Sequence, residues 1–195
     1  MNSLHRLAAT AIVGLMTTQG TAWASGNSGI NPDPVGTWLL DVTFLSGNPP
    51  TFKEMITLHA NGTVTETNTT LNGASGFLPQ PVFNLVGSDG QGAWRRLPGG
   101  RIGLSVTKLV FCGPAPSLIP LPPPAPPLEI CGGSSGALPG THIGYLRVTW
   151  QATVSGGQLK VAPSDSRTEL ILDPENPRGP GIDFGPASAS GKRLH

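Results

Sequence analysis

HIGYLRVTWQATVSGGQLKVA runs from His142 to Ala162, and its alternation decides the fold. Leu146, Val148, Trp150, Ala152 and Val154 fall on one side, and Tyr145, Arg147, Thr149, Gln151 and Thr153 on the other. A period of two over so many residues is the pattern of a half-buried strand, not of a helix. Gly156-Gly157 then supplies a turn, and QLKVA begins a second strand.

The same reading extends in both directions. GTWLLDVTFL (36–45) places Trp38, Leu40, Val42 and Phe44 on one side. KEMITLHA (53–60) and TVTETNTT (63–70) flank Asn61-Gly62, a strong hairpin signal. GAWRRLP (92–98) and RIGLSVTKLVF (101–111) flank Gly99-Gly100; the inward set of the second is Ile102, Leu104, Val106 and Val110. RTELILD (167–173) follows Pro163, and SGKRLH (190–195) makes a short last strand. No segment sustains a 3.6-residue apolar period. Short turns between neighbours favour antiparallel meander order. The expected fold is therefore all-β: an up-and-down antiparallel β-barrel of about eight strands, which closure frees of edges, with a β-sandwich as the alternative.

Register in the 53–70 hairpin determines what the barrel encloses. A two-residue Asn-Gly turn pairs Ala60 with Thr63 and splits the apolar residues between faces. A three-residue turn, with Gly62 left-handed, pairs His59 with Thr63. Ile56, Leu58, Val64 and Glu66 then share one face, and this coherent set is the preferred register. It sends Glu66 into the barrel, where a carboxylate needs a partner or a proton. Arg96, on the face of Trp94, and Lys108, in line with Leu104 and Val106, are the candidate partners. The bland role for Glu66 is a buried ion pair; the sharper one is a polar anchor or general acid–base in a ligand cavity lined by Leu58, Val106 and Trp150.

Compartment follows from the first residues. Arg6 with His5, the apolar run Leu7–Met16 and Ala22-Trp23-Ala24 before Ser25 form the three parts of a secretory signal peptide over 1–24. The run is too short for a membrane anchor, which needs roughly 20 apolar residues. No second such run follows, so a soluble, secreted or periplasmic chain with no integral membrane segment is expected. Residues 25–35 read as a flexible lead-in and 36–195 as one domain. Arg6 is the single Lys or Arg within 1–24, so eleven basic residues remain against eleven acidic ones, and nothing electrostatic favours nucleic acid. Glycine and proline together number 48 of 195 residues, which favours local disorder at 25–34 and 174–187.

In an exported chain the only two cysteines, Cys112 and Cys131, are expected to pair. They bracket eight of the 21 prolines, at the head of a long connection, 112–141. Polyproline-type conformation would stiffen this loop without ladder hydrogen bonds. Leu118, Ile119 and Leu121 suggest a lid over the barrel mouth, or else packing on its outer wall. Other chemistry finds no support in the sequence. His59, His142 and His195 are scattered without metal-ligand spacing, no G-x-S-x-G elbow occurs, and the glycine-rich GSDGQGAW precedes a strand rather than a phosphate-binding helix. No cofactor and no metal are expected.

Gly36-Thr37-Trp38 in the first strand and Arg193 in the last resemble the calycin pattern of lipocalins. There the Trp plugs the closed end of the barrel and the Arg packs across its ring. The chain lacks the T-D-Y element and the helix before the final strand, so the resemblance covers architecture, from about 36 to 195. Allene oxide cyclase-like barrels are similar in layout. The resemblance implies a barrel that binds a small apolar molecule. The alternatives are a cofactor-independent cyclase or isomerase using the same cavity, or a filled barrel acting as a structural or interaction module.

Overall fold

The structure is a computed structural model, and it describes residues 33–46, 51–69, 85–114, 117–119, 126, 128–132 and 136–194. The expected signal peptide, most of the flexible lead-in and nine of the twenty residues 112–131, Leu121 included, lie outside the described residues.

Eight long strands close into an antiparallel barrel: β1 (Gly36–Phe44), β2 (Phe52–Leu58), β3 (Thr63–Asn68), β5 (Gly90–Arg96), β6 (Arg101–Cys112), β9 (His142–Ser155), β10 (Gln158–Ile171) and β12 (Ala187–Leu194). Each pairs with the next, and β12 returns to β1, with Trp38 opposite Arg193. Four short strands join them among the described residues: β4 (Leu85–Gly87) on the end of β6, β7 (Ser117–Ile119) paired with β8 (Leu128–Cys131), and β11 (Ile182–Asp183) against β10.

The alternation read from the sequence is the alternation of burial. In β1, Trp38, Leu40, Val42 and Phe44 are buried, and in β6 Ile102, Leu104, Val106 and Val110 are. In β9 the inward set ends on buried Trp150, Ala152 and Val154. The β2–β3 hairpin takes the three-residue register: Leu58 pairs with Val64 and Ile56 with Glu66. His59 N–H donates to Thr63 O at 2.9 Å and Gly62 N–H to His59 O at 3.0 Å. Gly62 has φ 85°, the left-handed conformation that this turn demands of a glycine.

Three expectations need correction. The two segments either side of Pro163 are one strand, β10, whose pairing with β9 shifts register between Val161 and Ser166. Pro163 has no N–H to give the ladder, so the strand is irregular there rather than ended. The 174–187 stretch is ordered by turn hydrogen bonds, among them Asn176 N–H to Asp173 O and Phe184 N–H to Thr168 O, and by Tyr145 Oη donating to Pro174 O. The proline-rich excursion does make ladder bonds, because its two limbs pair as β7 and β8.

The disulfide joins Cys112, the last residue of β6, to Cys131, the last of β8. Both half-cystines and Ile130 are buried with Leu85, Val110 and Leu170, so the base of the excursion extends the apolar interior. At the opposite end Trp38 is fully buried and its Nε1 donates to Pro34 O at 2.9 Å. The Arg193 guanidinium lies over the indole, 5.9 Å from its centroid, and donates to Val35 O. A Cβ on Gly36 (φ 137°) would sit 2.7 Å from Arg193 Nε, so the glycine makes room for this cation–π contact.

Candidate functional site

The barrel is packed at the Trp38 end and hollow towards the other. Near Trp38 the interior is filled by Leu58, Val64, Ile102, Ala152, Val154 and Leu159. Further along lies a cavity of about 80 Å³. Its wall includes Val42 and Phe44 of β1, Val148 and Trp150 of β9, Leu170 of β10 and Ala187 of β12. Glu54 and Asn68, neighbours across the β2–β3 ladder, also face it.

Behind Asn68 sits a charged pair. Glu66 and Lys108 are buried at 5% and 1% exposure. Lys108 Nζ donates to Glu66 Oε1 at 2.9 Å, and Asn68 Nδ2 donates to the same oxygen at 3.0 Å. Oε2 is 2.7 Å from Nζ but, among the described residues, accepts no hydrogen bond of good geometry. Room for the carboxylate comes from Gly90, which pairs with Glu66 across the β3–β5 ladder. A Cβ there would strike Val106 Cγ1 and lie 2.5 Å from Glu66 Oε2.

Glu54 is the second buried carboxyl, 5% exposed, and among the described residues its side chain makes no hydrogen bond. Burial raises its pKa well above the ordinary carboxylate range; the neighbouring Glu66 charge raises it further, and Lys108 only partly offsets this. Glu66 is also raised by burial, against the charge and hydrogen bond of Lys108 and the bond from Asn68. Two carboxyls thus share one ammonium, and the hydrogen bonds assign it to Glu66. Ionising Glu54 as well would leave an uncompensated charge inside the barrel, at a cost of several kcal/mol. Burial and the Glu66 charge therefore both favour the protonated form of Glu54, and a neutral carboxylic acid has one O–H to donate.

The expected site residues separate on this frame. Glu66 and Lys108 are together inside, and Trp150 is on the cavity wall. Leu58 and Val106 are buried core residues but do not line the cavity. Arg96 corrects the expectation: its side chain is more than half exposed and its Nη2 is 3.3 Å from Asp33 Oδ1. It shares the inward face of β5, yet lies six residues beyond Gly90, the partner of Glu66, which is roughly 20 Å along a strand. Leu118 and Ile119 lie on β7. Sequence reasoning passed over Glu54, although it stands two residues before Ile56 and so shares its face.

No group of histidine, cysteine and acidic side chains among the described residues is arranged to hold a metal ion. No helix among them is long and apolar enough to cross a membrane. Compared with protein-family models, curated proteins and solved structures, the chain matches no family model, no curated protein and no solved structure.

Proposed function

We propose that the chain is an exported, lipocalin-like barrel that binds a small, predominantly apolar molecule in the cavity beside Trp150. The observation that carries this reading is an apolar hollow with a single buried carboxyl among the described residues of its wall, beyond the packed Trp38 end of the barrel. Such a combination of apolar lining and few polar groups is what small-molecule sites present. At about 80 Å³ the cavity is well below the range of drug-sized pockets, so the ligand is compact. The disulfide supports an oxidising compartment, and the Trp38–Arg193 stack supports the lipocalin-like reading.

The test is a titration with cyclopentane, followed by the Trp150 indole resonance. Saturable shifts in the parent that vanish in a folded Ala187→Leu variant, whose side chain occupies the hollow, support the reading; shifts absent from the parent defeat it. The raised pKa of buried Glu54 also favours a second reading, a cofactor-independent isomerase or cyclase in which that carboxyl is the general acid. Turnover that disappears in Glu54→Gln while cyclopentane still binds would select the enzyme.

A further inference from the structure

Among the described residues, Glu54 is the one carboxyl in the cavity wall, where Asn68 and the Thr168 hydroxyl are the other polar side chains, and burial favours its protonated form. The wall around it is apolar, with Phe44, Phe52, Val148 and Leu170 among its members. Lys108 and Asn68 both direct a donor at Glu66 rather than at Glu54. The Glu54 side chain is 5% exposed and faces the hollow, so an acceptor for its O–H would come from within the hollow.

We propose that the barrel selects neutral ligands that carry a carbonyl oxygen on a compact apolar body, and that the Glu54 carboxyl is the specificity-determining donor to that oxygen. This rests on the ligand-binding reading above and deepens it. Ligands that enter as carboxylates are rejected, because their charge would be uncompensated in an apolar space beside Glu66, whose Lys108 partner is already engaged. Purely apolar ligands of the same shape fit but leave the Glu54 O–H unsatisfied. The discrimination is of the kind that a site built around a hydrogen bond imposes on an analogue lacking it.

Three probes of one shape test this: cyclopentanone, methylenecyclopentane, in which a C=CH2 replaces the C=O, and cyclopentanecarboxylate. Dissociation constants are read from amide and indole shifts at pH 7 in the parent, Glu54→Leu and Glu54→Gln. The ratio of the hydrocarbon's constant to the ketone's cancels differences in packing, and comparison between variants cancels ligand hydration. The ratio is expected to fall by about tenfold, about 1.4 kcal/mol, in Glu54→Leu. It should stay near the parental value in Glu54→Gln, whose amide still donates. In the parent, the 13C carbonyl resonance of bound cyclopentanone should move downfield of its position in an apolar solvent, a readout that needs no variant. The carboxylate should not bind at concentrations that saturate with ketone. A ratio unmoved by Glu54→Leu, an unshifted carbonyl resonance, or carboxylate binding as tight as the ketone's would overturn the proposal while leaving a binding barrel. Failure of both neutral probes to bind the parent would overturn the ligand-binding reading and this proposal with it.

Discussion

Lys108→Met removes the one buried ammonium and keeps a side chain of similar length. Glu66 is then left with Asn68 as its hydrogen-bond donor among the contacts described, at 5% exposure. An ionised carboxylate in that position costs more than a proton does, so Glu66 takes up the proton on folding. The charge part of the cost is thereby capped. In the unfolded chain the carboxyl titrates near the ordinary value of 4.5. Holding it neutral at pH 7 costs about 2.5 pH units at about 1.36 kcal/mol each, or about 3.4 kcal/mol. At pH 5 the same expression gives about 0.8 kcal/mol. The sign follows from a folded pKa raised above the unfolded one: stability is full below about pH 4.5 and is lost as pH rises. The assay is denaturant unfolding followed by tryptophan fluorescence at the two pH values, with the disulfide intact. The variant should lose about 2.5 kcal/mol more at pH 7 than at pH 5, relative to the parent. Lys108→Met combined with Glu66→Leu should recover to within about 1 kcal/mol of the parent or exceed it, because a buried pair can be replaced by apolar packing. A loss under about 1 kcal/mol at pH 7, or one that does not change with pH, would show that Glu66 reaches water and would refute the reasoning.

Glu54→Gln should gain stability relative to the parent as pH rises above about 4.5, because the parent must keep Glu54 protonated on folding and the amide need not. Glu66, Lys108 and Asn68 face the same site and are common to both proteins, so the difference in denaturant midpoints isolates Glu54; a pH-independent difference contradicts the assignment. Gly90→Ala forces a methyl against Val106 and the Glu66 carboxylate, and should cost about 1–3 kcal/mol by overpacking. A neutral outcome in thermal unfolding would contradict the close packing at that glycine. Replacing both cysteines by serine reopens a loop with a sequence separation of 19 and should cost about 3 kcal/mol on the chain-entropy model, read from the denaturant midpoint. An unchanged midpoint would contradict a constraint on the unfolded chain.

Alternation was enough to read β1, β6 and β9, because each is half-buried over many residues and a slip by one would expose its whole inward face. The hairpin register was also legible, since only one turn length gathers Ile56, Leu58 and Val64 on one side. What alternation supplies is the face of a side chain, not its height along the barrel. Arg96 shows the difference: its face is inward, but the β5–β6 register carries it past the packed end, where it meets Asp33. Height depends on pairings accumulated around the whole sheet, and no local pattern encodes that sum. Glu54 was legible by parity with Ile56, yet its significance arises from Lys108, which is 54 positions later and committed to Glu66. The hollow itself was not legible, because it reflects side-chain volumes meeting in layers drawn from six or more strands. Pro163 reads as a stop in the sequence; within a barrel the pairings on either side of it hold the strand together across the irregularity.

The cavity is tested most directly by a crystal of the protein pressurised with xenon, an apolar probe that enters dry cavities without regard to the natural ligand. A xenon site inside the barrel, bounded by Val42, Val148, Trp150 and Ala187, is the expected result. Xenon found only at surface positions, with those four side chains in mutual contact, would contradict a ligand-binding barrel.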